Sequence, residues 1–148
     1  MTKRYQDMAE QRRSGGLCTV AGRWRLPSSD GDAMLREAIE SIPEGFVVYD
    51  ADDRLVICNE AYRRLYSENA QAIVPGARYE DIMRSALAVG RYPEAKGREE
   101  EWLAEWMRKH HESEASGESQ LKDGRWVLVS ERRMPNGGIA GLRIDITH

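Results

Sequence analysis

Two adjacent histidines and a glutamate, His110-His111-Glu112, are the side chains in this sequence whose types most directly suggest chemistry. A histidine–glutamate step is the phosphoacceptor of histidine kinases, but that reaction needs a dimerisation helix and an ATP-binding domain. The sequence contains the pattern of neither. His110 lies four residues after Trp106 on the apolar stripe of a helix, where an imidazole more often belongs to the core. We therefore predict that His110 packs beside Trp106.

The two cysteines, Cys18 and Cys58, are the candidate thiol nucleophiles. Their wide spacing does not match a zinc site, and two cysteines are too few for a disulfide scaffold. Cys58 ends a β-rich run, which favours a small apolar strand residue over a reactive thiol. Scarce cysteine also fits a reducing, cytoplasmic setting.

Sequence signatures of catalysis are absent. The chain has no glycine-rich phosphate loop, no Gly-x-Ser-x-Gly and no His-Glu-x-x-His. The run Glu99-Glu100-Glu101 is typical of a solvated helix face. One enzymatic alternative stays open, a small α+β cone-like fold in which a carboxylate such as Asp50 acts as base. The pattern as a whole predicts a domain with no catalysis of its own.

Composition and charge narrow the class of protein. The chain has 148 residues, of which 41% are hydrophobic and 32% charged, as in one soluble globular domain. No apolar run approaches the roughly 18 residues of a membrane span, and the N-terminus is too polar for a signal peptide. Residues 1–30 carry six basic and three acidic side chains, whereas the remainder is acidic. We therefore expect no nucleic-acid binding and no membrane contact.

The cluster from Pro27 to Gly31 divides the chain, because proline, glycine and serine interrupt regular structure. We predict an N-terminal leader over residues 1–32, with a frayed helix over residues 2–13, and one domain over residues 33–148. Whether the leader is native linker stays open.

Hydrophobic periodicity then places the elements of the domain. An apolar stripe predicts a helix from Met34 to Ile42, which Pro43 ends. Two β-rich runs around a polar turn predict a hairpin, and Asn59 is a good N-cap for the next helix. Two longer amphipathic helices follow, over 79–87 and after Gly97. Three strands end the chain, at 118–121, 125–132 and 139–146, with a tight turn at Asn136-Gly137.

Strands at both ends of the domain surround a helical middle. This order predicts an α+β fold with a single antiparallel β-sheet of about five strands and helices covering one face.

The residues at the joints resemble those of a PAS domain. The first hairpin, the Asn59-Glu60-Ala61 step, the Asp123-Gly124-Arg125-Trp126 turn, the Pro135–Gly138 hairpin and the final Asp145-Ile146-Thr147 all match the PAS pattern in the right order. The resemblance covers about residues 33–147. It implies the PAS fold and a role as a sensory module in signal transduction.

The predicted helix from Trp102 to His111 and the run from Ser130 to Pro135 resemble those of the sensory boxes of bacterial histidine kinases and diguanylate cyclases, as in two-component systems. In that family the Asp-Ile-Thr motif leads through a helix into an effector domain, so the resemblance implies either a fragment of a longer sensor or a free-standing module, and favours the fragment. It also implies that Asp145 and Thr147 form the signal exit, through hydrogen bonding and helix capping.

The apolar interior between sheet and helices is the expected place for a small ligand of unknown identity. Some PAS domains bind haem through a histidine of the long helix, and light-sensing relatives trap flavin with a cysteine motif. The sequence has neither feature, so no cofactor and no metal is predicted. The candidate lining residues are Phe46, Val48, Ile57, Leu65, Ile82, Met83, Leu87, Trp126, Leu128 and Leu142.

A homodimer is also expected, because this family often pairs through its first helix. The apolar stripe that would form the contact consists of Met34, Leu35, Ala38, Ile39 and Ile42. The runner-up function is a ligand-free PAS module for dimerisation or protein interaction.

Overall fold

The computed structural model describes residues 19–20, 23–24, 28–112 and 114–147. The chain separates into two compact units, Met1–Ala38 and Ile39–His148. In the first unit β1 (Thr19–Val20) pairs antiparallel with β2 (Arg23–Trp24). The helix predicted over residues 2–13 and Cys18 lie outside the described residues, and the boundary after residue 32 stays a prediction.

The first described helix, α1, spans Ser28–Glu40, whereas the apolar stripe predicted a helix from residue 34 to 42. It ends before Pro43, whose ring disfavours a helical conformation at the preceding residue. Met34 and Leu35 on this helix are exposed, and Ile39 and Ile42 are half-buried.

Five strands form one antiparallel sheet, as predicted. They are β3 (Gly45–Tyr49), β4 (Leu55–Cys58), β5 (Glu114–Gln120), β6 (Trp126–Arg133) and β7 (Ile139–Asp145). Their order is β4-β3-β7-β6-β5, so the first and last strands of the sheet lie side by side in its middle. The C-terminal strand is therefore anchored on both edges.

Three α-helices follow β4 and pack on one face of the sheet: α2 (Glu60–Leu65), α3 (Tyr79–Ala88) and α4 (Glu99–His110). Short 3₁₀ turns at Ser67–Ala72 and Pro93–Ala95 connect them. This confirms the predicted α+β class and the helical cover. Among the described residues, no helix combines the length and the apolar character that crossing a bilayer requires.

Asn59 joins the helical layer to the sheet, and its side chain is fully buried. Its Oδ1 caps α2 by accepting from the Tyr62 N–H at 3.0 Å and also accepts from the Phe46 N–H at 2.9 Å. Its Nδ2 donates to three carbonyls, those of Ile39, Ile42 and Glu44. The predicted N-cap is thus confirmed, and the same amide also satisfies the backbone before β3.

The strand register decides which side chains face the helices. Val47 and Tyr49 are fully buried, and the Tyr49 ring contacts the Tyr79 ring of α3 edge-on, with 5.2 Å between centroids. Because side chains alternate along a strand, Phe46 and Val48 project from the opposite face.

Candidate functional site

A small cavity lies between the sheet and the helices. The space open to the centre of a water molecule is about 20 Å³. It is ringed by aromatic side chains, with two arginines among them. The lining residues are Tyr62, Tyr66, Tyr79, Ile82, Met83, Arg91, Tyr92, Trp106, Val129 and Arg143.

Arg91 is buried at this cavity, with 2% of its surface exposed. Its Nη2 donates to Asn69 Oδ1 and, at 3.4 Å, to the Tyr66 carbonyl, while its guanidinium lies 4.6 Å from the centre of the Tyr66 ring. Within the described residues no carboxylate forms an ion pair with it. Its Nε is buried without a hydrogen-bond partner, and so is Nε1 of Trp106.

A second buried arginine, Arg143 of β7, is paired. Its Nη2 donates to Glu131 Oε2 at 2.8 Å, and both side chains are 4% exposed. Gly141 leaves the room that this pair occupies, since a Cβ there would lie 2.9 Å from Arg143 Nη1 and 3.2 Å from Glu131 Oε2. Of these two buried arginines, Arg143 therefore has a carboxylate counter-ion among the described residues and Arg91 has none.

The paired arginine is one end of a buried ionic network. Glu131 Oε1 lies 2.9 Å from His110 Nδ1, and Asp53 Oδ1 lies 2.9 Å from His110 Nε2. Carboxylate oxygens only accept hydrogen bonds when ionised, so both ring nitrogens of His110 act as donors. The geometry thus places an imidazolium between two carboxylates.

The pKa values of the network follow from this pairing. Burial alone lowers the pKa of His110, but the hydrogen bonds to Asp53 and Glu131 outweigh it and raise the net value. Burial raises the pKa of Glu131, yet the charge of Arg143 and the hydrogen bond to His110 bring it down to about 2. Burial also raises the pKa of Asp53, but the hydrogen bonds to His110 and His111 outweigh burial, so the net pKa of Asp53 lies below its ordinary value.

Elements far apart in sequence position the network. Asp53, at the β3–β4 turn, has a positive φ of 59° and accepts the Tyr79 N–H at 2.8 Å through its carbonyl. The ring of Tyr79 stacks on His110, with centroids 3.6 Å apart and planes 5° from parallel. The helical stripe predicts that His110 packs beside Trp106, whereas the ring on which it stacks is that of Tyr79. Its burial is as predicted.

One group of described side chains has the donor types of a metal site. Ligand atoms of Asp53, His110 and His111 lie within 4.8 Å of one another. In this structure they are hydrogen-bond partners, with His111 Nε2 2.6 Å from Asp53 Oδ2 and His110 Nε2 on the other carboxylate oxygen. The absence of a metal and of haem and flavin stays a prediction.

The C-terminal end of β7 is held by the predicted exit residues. Asp145 Oδ1 accepts the Thr147 N–H at 2.9 Å, and Thr147 Oγ1 accepts the Trp126 N–H at 2.9 Å. The hydrogen bonds from Thr147 lower the pKa of Asp145. A groove of about 410 Å³ opens beside this end, and Arg143 and Asp145 both line it. Arg143 therefore lies at both the cavity and the exit.

The structure divides the ten predicted lining residues. Ile82 and Met83 line the cavity, Leu87 packs against the core and Leu65 lines the groove at the exit. The strand residues lie on the opposite face of the sheet, so the expectation that they face the helices is corrected. These six are Phe46, Val48, Ile57, Trp126, Leu128 and Leu142.

The error has a physical reason. Alternation indicates a strand but not which face is inward. On β6 and β7, Glu131 and Arg143 interrupt the face that carries Val127 and Ile139, so the face that carries Leu128 and Leu142 is the more apolar in sequence. The sequence pattern therefore predicts that the more apolar face is inward. The structure instead buries the face with the charged pair, whose members neutralise each other. Glu131 and Arg143 interrupt the inward face of their strands, and this is the signal that would have revealed them.

Other candidate groups have structural roles. Asp50 Oδ1 accepts the N–H groups of Asp52 and Arg54, at 2.9 and 3.0 Å, and so stabilises the β3–β4 turn. Cys58 is half-buried and unpaired, and burial raises the pKa of its thiol despite the nearby Arg63. A raised pKa makes this thiol a weak nucleophile at neutral pH.

The PAS fold family matches residues 39–148. The chain belongs to this family. PAS domains are regulatory sensor modules, which supports a signalling role for this one. The "Non-motile and phage-resistance protein" of Caulobacter vibrioides is 36% identical over 115 residues, a match covering 76% of this chain. The match spans 12% of the relative's length.

A solved structure supports the fold. The PAS domain of Bordetella pertussis BvgS superposes with a TM-score of 0.51 at 23% identity, covering 81% of this chain and 89% of that one. A domain of a sensory box sensor histidine kinase/response regulator from Geobacter sulfurreducens has a TM-score of 0.46 at 16% identity, over 77% of this chain and 93% of its own. The family match and the likeness to the BvgS domain confirm the PAS fold that the sequence motifs predict.

Proposed function

We propose that this PAS domain senses a small ligand in its interior cavity and relays binding to an effector through β7. The proposal rests on the position of Arg143, which lines the cavity and lies on the strand that ends at Asp145. Its ion pair with Glu131 joins β7 to β6, and Glu131 also contacts His110 of α4. A ligand that displaces Arg143 changes contacts on both strands, and such differential contacts are what shift a conformational equilibrium.

The end of β7 is arranged to report such a change. Trp126 of β6 donates its backbone N–H to Thr147 Oγ1, and Thr147 donates its own N–H to Asp145 Oδ1. A shift between β6 and β7 therefore changes the direction in which the chain leaves the sheet. The resemblance suggests a histidine kinase or diguanylate cyclase as the effector, acting in the cytoplasm.

The test is Asp145→Ala in the full-length protein, with effector output measured with and without stimulus. We expect the stimulated change in output to fall at least about fivefold, because the variant loses the hydrogen bond that orients Thr147. Asn136→Ala is the matched control: Asn136 Oδ1 accepts the Gly138 N–H in the same i to i+2 geometry, at 2.8 Å, but at the β6–β7 hairpin, which lies at the other end of β7 from the exit. Unchanged basal and stimulated output in Asp145→Ala would refute the relay.

A second candidate function is a ligand-free module that pairs with another PAS domain. The exposed Met34 and Leu35 on α1 favour it. In that case dimerisation is the function, and no small molecule enters the cavity.

A further inference from the structure

Two of the side chains that line the cavity carry a buried hydrogen-bond donor that nothing in the described residues satisfies. Arg91 Nε and Trp106 Nε1 have no partner, and both side chains line the cavity. Buried polar groups in folded proteins are nearly always hydrogen-bonded, so an unsatisfied pair at one cavity calls for an explanation. Both atoms donate, so the missing partner is an acceptor.

The charge of Arg91 restricts the chemical class of the missing acceptor. Arg143 has Glu131 as a counter-ion, whereas Arg91 has only the amide oxygen of Asn69, a carbonyl and the faces of two tyrosines. A buried charge is costly unless an opposite charge compensates it. The missing acceptor is therefore an anion with one negative charge.

The size and the lining of the cavity restrict the class of ligand further. A space of about 20 Å³ for the centre of a water molecule holds one or two waters, or a few non-hydrogen atoms in their place. Ile82, Met83 and Val129 give the cavity an apolar side. An ion that has both a charged end and a short hydrocarbon end matches this lining better than a fully hydrated inorganic anion.

We propose that the cavity binds a small monocarboxylate of two or three carbons, with its carboxylate accepting from Arg91 Nε and Trp106 Nε1. The assignment rests on the proposed sensor function, for which it names the class of ligand. The hydrocarbon end lies against Ile82, Met83 and Val129.

Acetate is the probe, measured by saturation-transfer NMR and calorimetry on this chain at constant ionic strength. A four-atom ligand of good efficiency binds with a Kd of about 0.05 to 10 mM. Acetamide has the same shape without the charge, and we expect it to bind at least about tenfold more weakly, since hydrogen bonds to a charged group are the stronger ones. Equal binding of acetamide, or no saturable binding of acetate, would overturn the proposal.

Chloride tests the anion class. If chloride displaces acetate at equal concentration, the site takes any monovalent anion and the carboxylate assignment is wrong. If acetate persists in a several-fold excess of chloride, the carboxylate assignment stands.

Trp106→Phe removes one donor and keeps an aromatic ring, and we expect it to weaken acetate binding about fivefold. Trp102→Phe makes the same change on the same helix, where Nε1 donates to Glu94 at 3.1 Å, and its acetate affinity should stay within about twofold. Arg91→Gln should abolish binding. If Arg91→Gln does not fold, the tryptophan pair decides, and equal affinities of the two tryptophan variants would contradict the assignment.

Failure of this proposal is distinguishable from failure of the relay. Acetate binding is measured on this chain and needs no effector. Acetate binding with an output that does not depend on Asp145 refutes the relay alone, whereas an Asp145-dependent output without acetate binding refutes the carboxylate alone.

Discussion

His110 is a buried histidine whose two ring nitrogens both donate to carboxylates, and the ring has no exposed surface. A cation in this position stabilises the fold only while it keeps its proton. Burial opposes the charge, but Asp53 and Glu131 hold the pKa of His110 above its ordinary value. Its contribution to stability is therefore complete below the unfolded-state pKa of about 6.5 and is lost as pH rises through the folded-state pKa.

We predict that His110→Gln lowers the free energy of unfolding by about 3 kcal/mol at pH 6, because the variant removes the cation between two buried carboxylates. The penalty should be smaller at pH 9, because above about 6.5 the unfolded chain no longer binds this proton, and the stability that the raised pKa of His110 contributes falls with pH. Urea unfolding at both pH values measures the difference.

His111→Gln is the control for this prediction. His111 is half-exposed and contacts the same carboxylate, so its loss should cost less than about 1 kcal/mol at either pH. A penalty for His110→Gln that does not change between pH 6 and pH 9 would contradict the charged form.

At the scale of elements, Asn59 joins β4, α2 and the segment that leads into β3. Its buried amide oxygen accepts two backbone N–H groups and its nitrogen lies within hydrogen-bond distance of three carbonyls. Glutamine carries the same amide, but its side chain is one methylene longer and would move the group from this point. The positions of β3 and α2 therefore depend on one residue.

Asn59→Ala should lower the free energy of unfolding by about 3 kcal/mol, since it removes a helix cap and leaves buried backbone groups without partners. Chemical denaturation followed by circular dichroism is the measurement. Asn136→Ala is the control. It removes a turn amide whose oxygen accepts the Gly138 N–H, and the free energy of unfolding should fall by less than about 1 kcal/mol. Equal losses in the two variants would show that Asn59 does not have this joining role.

The elements differ in how well the sequence predicts them. The helix at Tyr79–Ala88 follows directly from its apolar period, and the turn at Asn136-Gly137 follows from residues that tolerate positive φ. Four strands are predicted close to their positions, whereas β5 begins at Glu114 and not at residue 118. The faces of the strands are inverted, since a period of two carries no information about which side is inward. Arg91 is missed because no local pattern marks a charged side chain that a distant loop will bury.

The sequence does not predict the polar network either, because its members come from distant parts of the chain. Asp53, His110, Glu131 and Arg143 come from a turn, a helix end and two strands, and only the sheet order brings them together. Single-sequence patterns describe neighbours within a turn of helix or a hairpin. They do not report a contact such as that between Asp53 and His110, which lie 57 residues apart.

On the scale of the whole molecule, self-association is the property that the exposed residues of α1 predict. Met34 is 68% exposed and Leu35 is 48% exposed, which is unusual for two adjacent large apolar side chains. Burying them against a second copy removes apolar surface from water.

We predict that the double variant Met34→Asp, Leu35→Asp weakens self-association at least about tenfold, because a charged pair opposes burial at an interface. Light scattering across a concentration series gives the mass of the species. The control is Val74→Asp, which adds a charge at a 43% exposed valine outside α1 and should leave the mass unchanged. A wild-type chain that stays monomeric at high concentration would refute the prediction for this chain.

The central position of β7 also constrains how the chain acquires its structure during synthesis. Gly45 pairs with Arg143, so β3 meets its second neighbour only after nearly the whole domain has left the ribosome. Until then β3 and β6 each present a free edge, and such edges are open to wrong pairing. Contacts this distant in sequence also slow folding, because the closure of a long loop precedes the gain from the contacts. Complete structure in this domain is therefore expected only after β7 has been synthesised.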